Sequence, residues 1–429
     1  MTSAQNPHHD APAMTFAEKM FAQACGRASL CAGEDVYPDP ELVIIHDSYL
    51  GAAFRELESL GYRRISVPER VVAVTDHEVV YTTPQAVARG QQNREIARRW
   101  KLGRFFDAGQ GGHGHVFPME EGLVRPGMFL AAYDMHCSNF GAIGAYAMHA
   151  SADVTVVLAT GSKLTTVPET VLLELTGELP SGVHARDVGF RLASAFCAPG
   201  GVSAEGAVVE FQGAAAALAP SARIGLINTL TEIDVAHVLF PPIAYDGAPA
   251  PELAHLPSAP DARFRARLTE DLGRAVPTVA LPGAPQNAAD IGAAAGRRID
   301  HAFIGSCASS TYDDFRAAAE VMRGRAVARG VRFFIVPGTT RTAQRLMSEG
   351  LAQVFMDAGA ILLPPGCGPC AGGLMAPVGP GEVSISTAAT NGRGRMGSME
   401  AECYLASPLS VAAAAVAGRI VDPREVIAE

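Results

Sequence analysis

The chain has 429 residues, enough for two to four domains of ordinary size. Hydrophobic residues make up 48% and charged residues 18%, with 44 glycines, a balance that excludes a disordered or fibrous chain and suits an Ala/Gly-rich α/β enzyme. The formal net charge of −10, without any basic stripe, excludes an ordinary nucleic-acid binder, which must neutralise phosphates.

The polar start, Met1 to Pro12, lacks the apolar segment of a secretory signal and reads as a frayed tail. Thr15 to Gly26 then has helical spacing of Phe16, Met20, Phe21 and Ala24. Strand-like runs alternate with helical ones: Leu42–His46, the helix Gly51–Leu60, Arg70–Val74, the helix Gln92–Trp100, and Met128–Ala132. This alternation predicts parallel sheets covered by helices. A mixed section from Ala152 to Phe240 follows, and the Pro/Ala-rich Tyr245–Ala262 reads as a linker or exposed loop. Beyond it come Ala302–Ile304, the helix Tyr312–Gly330, Val331–Val336, the helix Arg341–Ala358 and the short strand Ile361–Leu363. The most apolar stretch, Ser410–Gly418, is far shorter than the roughly 20 residues of a membrane span, so no membrane partner and a cytoplasmic location are expected. Eight cysteines without secretion read as thiols or metal ligands rather than disulfides.

Three of those cysteines stand where α/β proteins place ligands, in loops after strands. Cys307 closes Ile304-Gly305-Ser306-Cys307, and Cys367 and Cys370 lie in Pro365-Gly366-Cys367-Gly368-Pro369-Cys370. Three thiolates can hold three irons of a cubane and leave the fourth open as a Lewis acid. Spacing alone leaves a redox dithiol, a zinc site and inert structural thiols as alternatives. Histidines beside carboxylates follow three strands: Asp76-His77, His115 with Glu120 and Glu121, and Asp134-Met135-His136. A carboxylate fixes an imidazole's tautomer and raises its basicity, as proton transfer requires, although any one such pair is more often a turn or cap. Glu210, within an apolar strand, has to be paired or functional, because an unpaired buried charge is costly.

In order along the chain these motifs resemble the aconitase superfamily, and within it the large subunit of 3-isopropylmalate dehydratase and its homoaconitase-like relatives. The resemblance runs from about Thr15 to Asp422. It rests on the two cysteine motifs, on Asp134-Met135-His136 with Gly141–Ala145, and on Leu158–Gly161 with Val167–Glu169. The segment around Glu210, Asn391–Gly397 and Ser407-Pro408 complete it. It implies an α/β fold of three α/β/α domains around a central 4Fe–4S cluster with one open iron, bound by Cys307, Cys367 and Cys370. The domains would be residues 1–160 with the His/Asp motifs, 161–270 with Glu210, and 271–429 with the cysteines and the substrate arginine. It further implies acid–base pairs Asp76 with His77, Asp134 with His115 and Glu210 with His136, and a substrate carboxylate on Arg395. A fourth, swivelling domain, absent before Glu429, would come from a small-subunit partner in a heterodimer or heterotetramer.

The implied activity is that of a hydro-lyase, the reversible dehydration of a small hydroxy di- or tricarboxylic acid of the 3-isopropylmalate type. Three departures imply either a different acid, of dimethylmalate, citraconate or homoaconitate type, or a small subunit that supplies the missing donor. Cys307-Ala308-Ser309 replaces the usual Cys-Thr-Asn and makes Ser309 a substrate-facing position. Thr390 replaces an arginine, for which Arg393 is the nearby substitute, and Met135 replaces a serine. A non-catalytic iron or redox sensor and a thiol–disulfide oxidoreductase are the readings from other classes.

Overall fold

The structure is a computed structural model that describes residues 13–428; the tail Met1–Pro12 lies outside the described residues. Three sheets organise it. The first has the spatial order Arg104–Phe106, Val71–Val74, Leu42–His46, Phe129–Ala132, Tyr146–His149, and is parallel throughout. The second runs His237–Leu239, Val208–Gly213, Thr170–Thr176, Ala266–Asp271, also parallel. The third has seven strands: the antiparallel edge Ala288–Asp290 and Thr278–Ala280, then Glu402–Leu405, Val383–Ser386, His301–Ile304, Arg332–Ile335 and Ile361–Leu362 in parallel.

The apolar runs become strands because both faces are covered: Leu42–His46 and Val71–Val74 are buried at every position. Helices begin where the sequence supplies caps. Thr15 and Glu18 form a capping box ahead of Phe16–Ala24, and Thr83 with Pro84 starts Pro84–Arg99 well before the expected Gln92. The single helix expected over Arg341–Ala358 is two, Thr340–Ser348 and Leu351–Asp357, because Gly350 takes a left-handed φ of +79° between them. The expected helix Tyr312–Gly330 likewise stops at Met322. Tyr245–Ala262 is irregular apart from one short turn at Pro251–Leu253.

The first and second sheets share one hydrophobic core, in which Phe117, Phe140, Phe211 and Phe240 are fully buried. Full burial contributes about 1.5–3 kcal/mol for each such ring. In two sheets the strand order reverses beside a central strand: Leu42–His46, flanked by Val71–Val74 and Phe129–Ala132, and His301–Ile304, flanked by Arg332–Ile335 and Val383–Ser386. At such switch points the following loops diverge and leave a crevice for ligands. No helix among the described residues is long and apolar enough to cross a membrane.

Two core histidines make stability pH-dependent. His237 Nε2–H donates one hydrogen bond, to Ala145 O at 3.0 Å, and His301 Nδ1 meets Ser384 Oγ at 2.9 Å. Burial depresses both to about 4. Between their unfolded value, near 6.5, and 4 the unfolded chain binds protons that the folded chain refuses. Stability is therefore full above pH 6.5 and falls as pH drops to 4, by on the order of 2–3 kcal/mol per histidine. Urea unfolding at pH 7 and pH 4.5 is expected to show this loss, and His237→Gln is expected to lose less on acidification than wild type.

Candidate active site

The loops after both switch points meet. Asp76 and His77 follow the strand Val71–Val74, and Asp134 and His136 follow Phe129–Ala132. Cys307 follows His301–Ile304, and Cys367 and Cys370 follow Ile361–Leu362. Main-chain contacts join the two loop sets: Cys367 N–H donates to Asp76 O at 2.9 Å, and His113 N–H to Gly338 O at 2.6 Å. Gly366 makes the first approach possible, since a Cβ there would lie 2.6 Å from Asp76 O. Ser306, just before Cys307, has a left-handed φ of +65°, a conformation that costs a non-glycine residue about 1–2 kcal/mol. Its hydroxyl offsets this by donating to Thr387 O at 2.8 Å and accepting from Ala308 N–H at 3.2 Å.

The three cysteines are free and buried. Burial pushes the Cys307 thiol up to about 11 and the Cys367 thiol well above its ordinary value. A redox dithiol needs a depressed pKa and access, so this environment does not fit the oxidoreductase reading. It fits soft-metal ligands, because a bound metal deprotonates a thiol outright. Asn228 Nδ2 donates to Cys307 Sγ at 3.1 Å, Asn139 Nδ2 donates to Cys307 O at 2.8 Å, and the Arg395 guanidinium lies beside Cys370. Around the thiols, buried polar atoms lack any partner among the described residues: both ring nitrogens of His115, His46 Nε2, Asn139 Oδ1, Asn228 Oδ1 and Ser309 Oγ. Unpaired buried polar atoms cost too much to be left idle, so they mark room for a bound group. The donor set and its surroundings fit a 4Fe–4S cluster and a polar ligand beside it. An open cavity of about 870 Å³ lined by Glu120, Tyr245, Asp313, Arg341 and Arg345 includes none of these groups.

Asp76 Oδ1 lies 2.7 Å from His77 Nδ1, which also meets Asp47 Oδ1 at 3.1 Å. Burial opposes charge on His77, but Asp76 and Asp47 outweigh it and hold the imidazole well above its usual value. The other two expected pairings differ. Asp134 Oδ1 takes His136 Nδ1 and the His136 N–H, each at 2.9 Å, while His115 Nε2 stands 3.7 Å away, beyond a hydrogen bond. His136 Nε2 meets Glu232 Oε1 at 2.8 Å and not Glu210. Glu210 accepts from Ser258 N–H at 2.9 Å, from the Ser258 hydroxyl and from Gln212 Nε2 at 2.9 Å. Ser258 Oγ in turn accepts the Phe16 N–H at 2.8 Å, so Glu210 ties down the loop and the first helix. The strand carries its side chain there, away from His136.

Burial would depress His136, yet the sulfur of Cys307 and the Asp134 carboxylate hold it well above its ordinary value. Burial of His115, with His46 adding to it, does the reverse and keeps that ring neutral. Arg395 is close enough to interact with both Glu232 and Asp134. Arg393 Nε donates to Met399 O at 2.7 Å on the exposed side, and Thr390 lies beside Glu232. Met135 lines a separate cavity with Met148 and His149. Sequence reasoning missed Glu232, His46 and His113. His46 ends an apolar strand and His113 sits in Gly112-His113-Gly114, signals of the kind used for the other histidines. Glu232 ends a helix without any flanking motif.

The family model described as "Aconitase family (aconitate hydratase)" matches residues 19–298 and 292–418. The "3-isopropylmalate dehydratase large subunit 1" of Methanopyrus kandleri is 36% identical over 420 residues, 96% of this chain and 99% of that protein. The "3-isopropylmalate dehydratase large subunit" of Mycolicibacterium smegmatis is 37% identical, over 97% of this chain and 98% of its own length. The "Homoaconitase large subunit" of Thermus thermophilus is 35% identical, over 96% and 97%. Among solved structures, Thermococcus kodakaraensis aconitase X in its holo-form superposes with a TM-score of 0.52 over 86% of this chain and 89% of that chain. At 11% identity that likeness shows the fold. The chain belongs to the aconitase family and is an iron–sulfur hydro-lyase.

Proposed function

We propose that this chain is the large subunit of a two-subunit dehydratase for a malate-type acid, with Cys307, Cys367 and Cys370 holding the cluster. The observation that carries this is the hydrogen-bonded series Asp134, His136 and Glu232 beside Cys307, with the unpaired His115 ring 3.7 Å from Asp134. When bound, the cluster supplies a Lewis-acidic iron that weakens the C–O bond of a substrate hydroxyl. The chain's own residues manage the protons. His115, neutral and with both nitrogens free, is the group that faces the leaving hydroxyl. His136 stands behind it as an imidazolium held between the Asp134 and Glu232 carboxylates, a proton reservoir whose charge is balanced on both sides. His77, locked by Asp76 and Asp47, is a second held proton. Arg395 binds a substrate carboxylate. Residues 1–160, 161–270 and 271–429 are taken as the three domains, one for each sheet.

Support for the partner comes from the relatives' printed names, which are large subunits, and from charge. Arg186 donates to two main-chain carbonyls, Thr387 O at 3.0 Å and Ala388 O, and Arg393 Nε donates to Met399 O. Arg395, near Glu232 and Asp134, is the guanidinium we assign to a substrate with at least two carboxylates. A small subunit would supply the further cations and the base that removes the carbon-bound proton. The same shortage, with Thr390 on Glu232 and a free Ser309 hydroxyl, favours the second reading, an acid other than 3-isopropylmalate.

Four outcomes are expected. Anaerobic reconstitution with iron and sulfide should give iron–sulfur absorption that is lost in Cys307→Ser, Cys367→Ser and Cys370→Ser but kept in Cys403→Ser. With the cognate small subunit, Glu232→Gln should lower kcat by about 100- to 10,000-fold, the range for removing a general acid–base group. Glu210→Gln should instead lower the melting temperature and leave kcat within a few fold. In a panel of isopropylmalate, dimethylmalate, citramalate and homocitrate, turnover should require both subunits; turnover of isopropylmalate alone would remove the second reading.

A further inference from the structure

His113 is a buried site histidine to which the proton scheme above gives no work. It is 3% exposed, and its two ring nitrogens have different surroundings. Nδ1 accepts the His115 backbone N–H at 3.3 Å. Asp76 Oδ2 is 3.5 Å from the same nitrogen, but that oxygen already meets His46 Nδ1 at 2.9 Å and the Gly114 N–H at 2.8 Å. With Nδ1 an acceptor, the ring proton is assigned to Nε2. Nε2 lies 3.2 Å from Cys367 Sγ, within reach of an N–H···S bond. The approach is built in: His113 N–H holds Gly338 O at 2.6 Å, and a Cβ on Gly112 would lie 2.4 Å from the same oxygen.

We propose that His113 is a positioning residue that donates its Nε2–H to the Cys367 thiolate and tunes the iron this cysteine holds. The proposal rests on the cluster reading of the three cysteines. An N–H donor withdraws electron density from a ligating sulfur, which weakens its donation to iron and favours the reduced cluster. A histidine fixed by a neighbour's main chain does this with a single orientation, whereas water would not.

The test uses the full chain, labelled with 15N-histidine and reconstituted anaerobically with iron and sulfide. The reduced cluster of wild type is expected to show a weak 15N hyperfine coupling that His113→Gln and His113→Leu both lose. The midpoint potential should become more negative in His113→Leu and lie nearer wild type in His113→Gln, whose amide can still donate. A coupling unchanged in the variants, a coupling as large as that of a direct iron ligand, or equal potentials in all three proteins would each overturn the proposal. If His113→Leu takes up no cluster, the wild-type coupling and its loss in His113→Gln still decide. Wild type without iron–sulfur absorption overturns the cluster reading itself, whereas a cluster with no histidine coupling overturns the role of His113 alone.

Discussion

A carboxylate with no exposure to water, Asp76, is the constraint around which the site is arranged. An isolated buried charge would cost many kcal/mol, so its oxygens have to be saturated. Oδ2 takes His46 and the Gly114 N–H, and Oδ1 takes His77. The orientations of two imidazoles and of the glycine-rich loop at His113–His115 therefore follow from one side chain. Its main-chain oxygen reaches the other way, to the Cys367 N–H, and fixes the cysteine loop against the histidines. Burial disfavours the charge, yet His46 and His77 hold the carboxyl well below its ordinary range. The aspartate remains an anion that orders its neighbours.

The arrangement depends on two parallel sheets aiming their switch points at each other. A parallel strand puts its following loop at the carboxyl end, and where strand order reverses, neighbouring loops part. One crevice supplies imidazoles and carboxylates, the other thiolates. The second sheet contributes less obviously, through the helix Pro220–Thr231, which brings Asn228 to Cys307 and Glu232 to His136. Acid–base groups and metal ligands thus come from separate elements and meet in a dry interior, where each hydrogen bond counts for more than in water.

Most of the fold was legible because apolar runs such as Leu42–His46 and Phe129–Ala132 are buried on both faces and bounded by polar residues. The histidines were legible for the same reason, since polar residues ending an apolar strand lie at the crevice. Pairing was not. Asp134-Met135-His136 bonds within itself because a residue two positions on can fold back over a tight turn, a geometry that spacing to His115 does not reveal. The apolar surroundings of Glu210 imply only that it is paired or functional; its pairing with His136 is what the family resemblance implies, and a carboxylate in a strand is equally well satisfied by a serine from a passing loop. Glu232 ends a helix buried along most of its length, with no motif to separate it from a solvent-facing terminus. The division of Thr340–Asp357 into two helices depends on one glycine, which a helical pattern can tolerate or obey.

The cysteines lie in two loops of the third sheet, and the histidine beside them, His113, comes from the first. Whatever occupies that junction belongs to the joint between the domains as much as to the chemistry. A group bound by the folded arrangement and not by the separated loops stabilises it by mass action, in proportion to the logarithm of its supply. The first and second sheets share one apolar core, and Phe190 packs with Ala280 and Phe303 of the third, so a bound group adds to apolar contacts already made between sheets. A cluster held at that junction would add its own grip to the joint, so losing it would loosen the seam between sheets as well as stop a reaction.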